Sequence, residues 1–292
     1  MNIITVSKND IQLVYPDRSG EVNKYDYGLV TVIGGSEFYS GAPALSALAA
    51  FRGGADMARV IAPRRAADII ASFSPILAAY PLEGSHITPG HVPTLVALAE
   101  SSWEVSRQKA CVVIGGGLGR SEETLMAMRD FLLQTSLPVV ADADALYAIA
   151  ENPEGYRGRN LVVTPNVFEF SLLTKRNIRE LSLEERISVV QEEASRLGMI
   201  ILLKGKTDII SDGSRVILNE EESSYLSVRG VGDTLSGILA ALLARGVEPV
   251  QAGAVAAYIN ARAGSLASKE KRDGLVATDL IDYIPQAITS SL

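Results

Sequence analysis

The chain has 292 residues, of which 47% are hydrophobic and 21% charged, and its formal net charge at pH 7 is -7. We expect one globular domain over residues 1–292. The negative charge argues against nucleic acid as a partner, because phosphate backbones are bound through clustered Lys and Arg. Cys111 is the only cysteine, and the N-terminal sequence lacks an apolar run suited to a signal peptide or membrane span. We therefore expect a cytoplasmic protein with no nucleic-acid or membrane partner.

Short aliphatic runs recur along the chain, each followed by a glycine or polar loop. They cover residues 28–35, 110–117, 137–144, 160–166 and 198–205. Continuous apolar runs are typical of strands buried on both faces, and the helical patterns between them favour parallel pairing. The sequence therefore predicts an α/β fold, a three-layer α/β/α sandwich with a mostly parallel central sheet. An Asp212-Gly213 pair between two β-rich runs predicts a small β-hairpin extension.

Ligands of such sheets bind beyond the carboxyl ends of the strands. The five predicted ends all carry glycine or polar residues: Gly34 to Ser36, Gly115 to Gly119, Asp142 to Asp144, Thr164 to Asn166, and Lys204 with Gly205. Neither the GxGxxG fingerprint nor the P-loop pattern is met. Glycines after a strand can serve a tight turn or let a ligand approach the backbone. The convergence of five such ends at one edge predicts a ligand site there.

Charged residues at these ends each have more than one possible role. Asp144 fits the N-cap of a helix beginning near Ala145, whereas one carboxylate of the Asp142 and Asp144 pair could orient a metal or a substrate hydroxyl. The sequence leaves these roles open. Lys204 follows a buried apolar run, and its position favours phosphate binding over a role as an ordinary surface lysine.

The segment VRGVGDTLSGILAALLARG, residues 228–246, predicts a helix with one carboxylate, Asp233, at its start. The apolar face of that helix is formed by Leu235, Ile238, Leu239, Leu242 and Leu243. Asp233 fits an N-cap, but capping does not explain two glycines before it. The N–H groups of Gly230, Val231 and Gly232 would form an anion hole at the positive end of the helix. A base beside such a hole is the arrangement that phosphoryl transfer needs.

The ordered motifs resemble the NAD(P)H-hydrate dehydratases of the ribokinase-like superfamily over about residues 28–290. They are VIGGSEFYSGAPALSALAAFRGGA, GGGLG, PVVADADAL, TPNVFEF, LLKG, VRGVGDTLSGILAALLARG and INARAGSLA. The resemblance implies a ribokinase-like fold and a lyase that repairs nicotinamide cofactors. In that family ADP or ATP, with Mg²⁺, phosphorylates the hydroxyl of (S)-NADH-hydrate or (S)-NADPH-hydrate, and phosphate is then eliminated. We expect a homo-oligomer without the N-terminal epimerase domain that some members carry.

The resemblance also implies roles for individual residues. Asp233 matches the catalytic residue that contacts the hydrated nicotinamide, and Gly232 matches a nucleotide contact. The loop that holds the adenosine phosphates corresponds to Lys204, Gly205, Lys206, Thr207 and Asp208. Substrate-binding positions correspond to Ala42, Gly117, Gly119 and Asn166, together with Asp233. The metal ligands are not assigned by the resemblance, and the candidates are Asp142, Asp144 and Glu169.

Four positions depart from the family pattern. Gly116 replaces a proline, Asn166 a substrate-contacting histidine and Phe168 a glycine, while Arg229 lies beside the anion hole after a shortened approach. These changes leave open NADH or NADPH preference and an alternative function, a ribokinase-like kinase acting on a sugar, vitamin precursor or nucleoside hydroxyl. A more distant alternative is a non-catalytic nucleotide-binding regulator, which the intact Lys204 and GxGD motif disfavour.

Overall fold

The computed structural model describes residues 3–17, 20–221 and 227–292, and within these ranges ten strands form one sheet. In chain order the strands are β1 Ile3–Thr5, β2 Leu29–Ile33, β3 Met57–Pro63, β4 Ala78–Leu82, β5 Ala110–Ile114, β6 Val139–Ala141, β7 Leu161–Val163, β8 Ile200–Leu203, β9 Asp208–Ser211 and β10 Val216–Asn219. Their order across the sheet is β1-β10-β9-β8-β7-β6-β5-β2-β3-β4. Only β9 runs antiparallel to its neighbours among these strands. The mostly parallel sheet and the β9–β10 hairpin are both confirmed.

Helices cover both faces of this sheet. They are α1 Lys8–Val14, α2 Gly41–Arg52, α3 Arg64–Phe73, α4 Val92–Val105, α5 Glu122–Gln134, α6 Asp144–Ile149, α7 Val167–Thr174, α8 Leu183–Leu197, α9 Val231–Ala244, α10 Pro249–Lys271 and α11 Ala277–Thr289. Helices α1 to α3 and α9 to α11 pack in one core, and α4 to α8 pack in the other. The predicted three layers are therefore present. In the described ranges, no helix combines the length and apolarity needed to cross a membrane.

The central strand β5 shows why the predicted runs are apolar throughout. Cys111 and Val113 belong to the core under α9, whereas Val112 and Ile114 belong to the core under α4 and α5. Since successive side chains of a strand point to opposite faces, a strand covered on both sides needs no polar residue. Each of the five predicted runs contains an observed strand.

Strands β1, β3 and β4 have no counterpart among the predicted runs. In β3, Arg59 interrupts the apolar pattern, and its partly buried guanidinium donates to the Leu98 carbonyl and to the Ser102 hydroxyl. Strand β4 lies at one edge of the sheet and contains Pro81, and β1 lies at the other edge with Ile3 and Ile4 exposed. Edge strands need not be apolar on both faces, so they lack the signal used for the centre.

Helix α9 packs against α2 at one close contact. A Cβ atom on Gly237 would lie 2.1 Å from the carbonyl oxygen of Ser46. The Ser46 hydroxyl also donates to the carbonyl oxygen of Asp233, at 3.0 Å. The contact fixes the start of α9 relative to the loop between β2 and α2.

Candidate active site

The carboxyl ends of β6, β7 and β8 meet through Lys204. Its ammonium donates to Asp142 Oδ1 at 2.7 Å, and its backbone N–H donates to the carbonyl of Pro165 at 2.8 Å. Next to them, the N–H of Gly35 after β2 donates to the carbonyl of Gly116 after β5, at 2.9 Å. The structure thus brings together the polar strand ends that the sequence places at one edge.

Asp142 is a buried carboxylate that connects this edge to α9. Besides Lys204, it accepts a hydrogen bond from the Ser236 hydroxyl, which donates to Oδ2 at 3.1 Å. Burial alone would raise the pKa of Asp142, but the positive charge and hydrogen bond of Lys204 outweigh it and hold the pKa below its usual value. Asp142 is therefore an anion that keeps Lys204 charged and in place.

The first turn of α9 lies over this ion pair. A Cβ atom on Gly232 would lie 3.3 Å from Lys204 Nζ and 3.4 Å from Asp142 Oδ2. The backbone of Gly232 does not require glycine, since its φ is not positive. Glycine at this position instead keeps open the space between the start of α9 and the Lys204 ammonium, which a side chain would fill.

Gly230 is the N-cap residue of α9, with φ of 97°, and no side chain caps the helix. Asp233 is the third residue of the helix, so its assignment as the N-cap is wrong. Gly230 takes that place because it adopts a left-handed conformation that a larger residue would avoid. The first N–H groups of a helix have no partners inside it, and here no side chain of the cap replaces them. The start of α9 is therefore open to an anion, as the motif predicts.

The Asp233 carboxyl is partly buried beside the glycine loop after β5, and its Oδ1 would lie 3.1 Å from a Cβ atom on Gly116. Burial and the negative charge of Asp142 raise the pKa of Asp233 to about 7, while Lys204 and Arg229 act in the opposite direction. A carboxyl that titrates near neutral pH can take up a proton efficiently under physiological conditions. Asp233 therefore has the position and the acidity of a general base.

The glycine loop after β5 packs against the start of α2. A Cβ atom on Gly116 would lie 3.1 Å from the Cβ of Ala42, and one on Gly117 would lie 3.0 Å from the Cβ of Tyr39. Gly116 thus has Ala42 on one side and Asp233 on the other, and Gly117 is the next residue of the same loop. Gly119 lies further along and donates its N–H to Asp144 Oδ2, at 2.9 Å.

Asp144 has a different role from either role considered for it. The N-cap of α6 is Ala143, and Asp144 is the first residue of the helix, so the N-cap assignment is wrong. Its carboxylate accepts hydrogen bonds from the Gly119 N–H and from Arg120 Nε, the latter at 2.7 Å. Asp144 therefore holds the glycine loop in place.

The three candidate metal ligands do not come together. Asp142 and Glu169 both lie near Lys204, with Glu169 Oε2 4.0 Å from its ammonium, whereas Asp144 pairs with Arg120. In the described part of the chain, no three His, Cys, Asp or Glu residues form a group that could hold a metal ion. Burial raises the pKa of Glu169 despite the nearby Lys204.

Asn166 caps α7. Its Oδ1 accepts hydrogen bonds from the N–H groups of Phe168 and Glu169, at 2.9 and 3.0 Å, and Glu169 accepts the N–H of Asn166 in return. This capping box engages the oxygen of the side chain that replaces the family's histidine. Phe168 is 67% exposed at the same helix start.

A cleft of about 530 Å³ opens between the loop after β8 and α10. Its walls include Lys204, Gly205, Lys206, Asp208, Gly232, Ala257, Asn260 and Ala261. Thr207 instead lines a neighbouring cleft of about 310 Å³. Asp208 accepts hydrogen bonds from the Gly205 N–H and from Asn219 Nδ2, both at 3.0 Å, so it shapes the loop. Two of the α10 residues that line the cleft, Asn260 and Ala261, lie in the motif INARAGSLA, but their residue types alone indicate no function.

These features define a class of protein, a ribokinase-like α/β enzyme fold with an open helix start opposite a lysine. An ADP/ATP-dependent NAD(P)H-hydrate dehydratase from Bacillus subtilis, crystallised with ATP and Mg²⁺, has the same fold, with a TM-score of 0.81, 24% identity and full coverage of both chains. Residues 30–286 match the sequence model of the family described as NAD(P)H-hydrate dehydratase. The chain belongs to this family.

Curated relatives agree with the family match. A bifunctional NAD(P)H-hydrate repair enzyme from Pyrobaculum aerophilum is 41% identical over 98% of this chain and 55% of its own length. The chain thus spans about half the length of that relative. An ADP-dependent (S)-NAD(P)H-hydrate dehydratase from Cenarchaeum symbiosum is 34% identical over 97% of this chain and 96% of its own length.

Proposed function

We propose that the protein is a nucleotide-dependent (S)-NAD(P)H-hydrate dehydratase that restores NADH or NADPH. The observation that carries this proposal is Asp233, a partly buried carboxyl beside the glycine loop whose pKa is raised to about 7 at the open start of α9. The names of the relatives supply the substrate class. The glycine loop and Ala42 give the hydrated nicotinamide a place beside Asp233.

The adenine nucleotide would lie in the 530 Å³ cleft, with its transferable phosphate toward Lys204 and the N–H groups of α9. Mg²⁺ fits the adjacent edge of the sheet. Asp142 and Glu169 supply carboxylates there, and the buried Thr164, which directly follows β7, adds a hydroxyl beside Asp142. Since Mg²⁺ is commonly held by one or two carboxylates together with substrate phosphates, a complete protein cage is not required. When bound, it would neutralise charge on the phosphates.

The geometry supports two chemical steps. In the first, Asp233 takes the proton of the substrate hydroxyl, a bond forms between that oxygen and the phosphorus, and the bond from phosphorus to the nucleotide oxygen breaks. In the second, the carbon–oxygen bond breaks and phosphate leaves with the electron pair. Loss of a proton from the neighbouring carbon then restores the double bond of the dihydropyridine. Lys204 and the amides of α9 stabilise charge on the transferred group.

The decisive experiment is incubation of the purified protein with hydrated NADH or NADPH, Mg²⁺ and either ADP or ATP. We expect the dihydropyridine absorbance to return with at least one nucleotide. No return with either nucleotide would contradict the proposal. Consumption of nucleotide with a sugar, vitamin precursor or nucleoside instead would establish the kinase alternative.

The pH dependence of the same reaction tests the base. Because Asp233 must be ionised to accept a proton, kcat should rise with pH through a midpoint of about 7. The measurement is kcat at saturating substrates between pH 5 and pH 9, about two units either side of that midpoint. A rate that is constant down to the pH of an ordinary carboxyl would assign the base elsewhere.

We also propose that the chain acts as a single-domain, cytoplasmic homo-oligomer. One buried cysteine, Cys111, fits a reducing compartment. The edge strand β4 carries exposed Tyr80, and Phe73 and Ile76 are exposed just before it. An uncovered apolar edge favours association with a second copy. Light scattering that gives the mass of one chain at micromolar concentration would contradict the oligomer.

A further inference from the structure

Arg229 departs from the family pattern, and it directly precedes the open start of α9. The position of its backbone is fixed by Gly230, where a Cβ atom would lie 2.7 Å from Leu45 of α2 and 2.8 Å from Ala277 of α11. The following residues, Val231 and Gly232, provide the N–H groups of the anion hole. The backbone at Arg229 is therefore held in place by packing, whereas its side chain is exposed.

The guanidinium of Arg229 extends toward the opposite wall of the site. Its central carbon lies 5.4 Å from the centre of the Tyr39 ring, and the Cβ of Tyr39 packs beside Gly117. The described residues include no carboxylate within 4.0 Å of this guanidinium, although such pairs hold Arg120 and Arg262 elsewhere. An arginine kept over a tyrosine ring without an acidic partner retains its donors for another anion.

Two cations, Lys204 and Arg229, act on the charge of Asp233. Lys204 is on the side of the nucleotide cleft, and Arg229 is on the side of Tyr39 and the glycine loop. Both positive charges act on Asp233 and lower its pKa from the value that burial alone would give. A phosphoryl group that moves from the cleft to an oxygen at Asp233 would thus travel from one cation toward the other.

We propose that Arg229 binds the phosphoryl group in transit and holds the phosphate formed on the acceptor oxygen, opposite Lys204. This inference rests on the proposed phosphoryl transfer and extends it, because it assigns a residue to the acceptor side. A guanidinium can donate two parallel hydrogen bonds to phosphate oxygens. Charge spreads over those oxygens as the bond to the nucleotide oxygen breaks and the bond to the acceptor oxygen forms. In the elimination step the same contact stabilises the departing phosphate.

The test uses aluminium fluoride, which mimics the phosphoryl group in transit, together with AMP or ADP, the nucleotides that remain after transfer from ADP or ATP; it needs no hydrated cofactor. Calorimetry would compare the affinity for each nucleotide and Mg²⁺ with and without aluminium fluoride in the wild-type protein, in Arg229→Gln and in Arg52→Gln. Arg52 is an exposed arginine of α2, 3.6 Å from Asp282 and outside the site, so it serves as the matched control.

We expect aluminium fluoride to tighten binding at least about tenfold in the wild type and the control, and to have little effect in Arg229→Gln. Each nucleotide without aluminium fluoride should bind all three proteins equally, which also shows that the variant is folded. An equal gain in Arg229→Gln would overturn the proposal, as would no gain in the wild type with either nucleotide or a weaker affinity of Arg229→Gln for the nucleotide alone. The hydrate assay decides the proposed function separately.

Turnover gives a second readout if the hydrate assay succeeds. Arg229→Gln should lower kcat about 100-fold or more with little change in the nucleotide KM, and Arg229→Lys should be intermediate, since lysine keeps the charge but loses the paired donors. Removing a cation should also move the pH midpoint of kcat upward, because Arg229 lowers the pKa of Asp233. A raised KM for the hydrate alone, with kcat unchanged, would assign Arg229 to the phosphates of the substrate instead.

Discussion

Helices α7 and α9 begin at the same edge of the sheet, and their first turns differ in what occupies the free backbone N–H groups. In α7, Asn166 and Glu169 form a capping box that occupies the free N–H groups with the helix's own side chains. In α9, the cap residue is Gly230, and no side chain occupies the free N–H groups. Both helices have a positive end, but only α9 leaves that end available to a ligand.

The difference shows that the start of a helix is available to an anion when no side chain of the protein occupies its free N–H groups. The glycine at the cap, Gly230, has no side chain to bond the free N–H groups, and the glycine at the second helical position, Gly232, leaves the space beside Lys204 open. The acidic residue of the first turn also differs. Glu169 in α7 bonds the backbone of its own cap, whereas Asp233 in α9 faces the glycine loop.

Asp233→Asn should have the largest effect on this comparison. It removes the proton acceptor while leaving the amides of α9 in place, so kcat should fall about 10³-fold, within the range of general-base contributions. The measurement is the hydrate assay under single-turnover conditions. Asp279→Asn is the matched control, since Asp279 also lies in the first turn of a helix but bonds only its own cap in α11. Comparable activity of Asp233→Asn and the control would refute the role of Asp233.

The same variant should be more stable than the wild type at alkaline pH. The pKa of Asp233 is raised from 3.8 to about 7 by folding, so the folded state binds a proton that the unfolded state releases between these values. Stability from this group is therefore present below pH 4 and lost as the pH rises to about 7. Asp233→Asn should gain about 2–4 kcal/mol in free energy of unfolding above that pH and nothing near pH 4.

Urea denaturation at both pH values measures the difference between the two proteins. A gain that is equal at both pH values would show that the asparagine stabilises by packing or helix propensity. It would also show that the Asp233 carboxyl is not strained by burial in the folded protein.

Gly232→Ala should separate activity from stability at the start of α9. The added Cβ would lie 3.3 Å from Lys204 Nζ, in the space proposed for a phosphate, so kcat/KM should fall about 100-fold. Because alanine favours a helix, the free energy of unfolding should stay constant or rise by about 1 kcal/mol. Gly274→Ala is the control, since nothing lies within 4 Å of its Cβ position. An active Gly232→Ala protein would mean that phosphate binds elsewhere.

Asn166→Ala should have the smallest effect, because it opens the α7 start without creating a new site. Loss of the cap should lower the free energy of unfolding by about 1 kcal/mol, and Asn166→Asp should restore it. Thermal denaturation measures both changes. If Asn166→Asp were as unstable as Asn166→Ala, the capping box seen at this helix start would contribute nothing to stability.

The sequence predicts the central strands well because their environment is uniform. A strand such as β5, covered by helices on both faces, must be apolar at every position, and that pattern is visible without any neighbour. Strand β3 could not be predicted from the apolar pattern because Arg59 interrupts it. The partners of the Arg59 guanidinium, Leu98 and Ser102, lie about 40 residues away in α4. The position of the site follows equally well from the polar strand ends.

The roles of individual carboxylates could not be predicted from the sequence. Asp144 follows β6 and Asp208 begins β9, both in motifs typical of ligand binding, yet each accepts hydrogen bonds from a glycine N–H and supports a loop. Which acid faces the substrate depends on contacts between distant segments. Asp233 acquires its raised pKa from burial and from Asp142, which is 91 residues earlier in the chain.

The close contact between Gly237 of α9 and Ser46 of α2 also affects the order of folding. It joins segments that lie about 190 residues apart, so it forms only after the intervening strands have assembled. The same contact sets the first turn of α9, which carries Asp233, beside helix α2, which carries Ala42. During refolding, secondary structure should therefore return early, and catalytic activity should appear only at the late step in which α9 packs against α2.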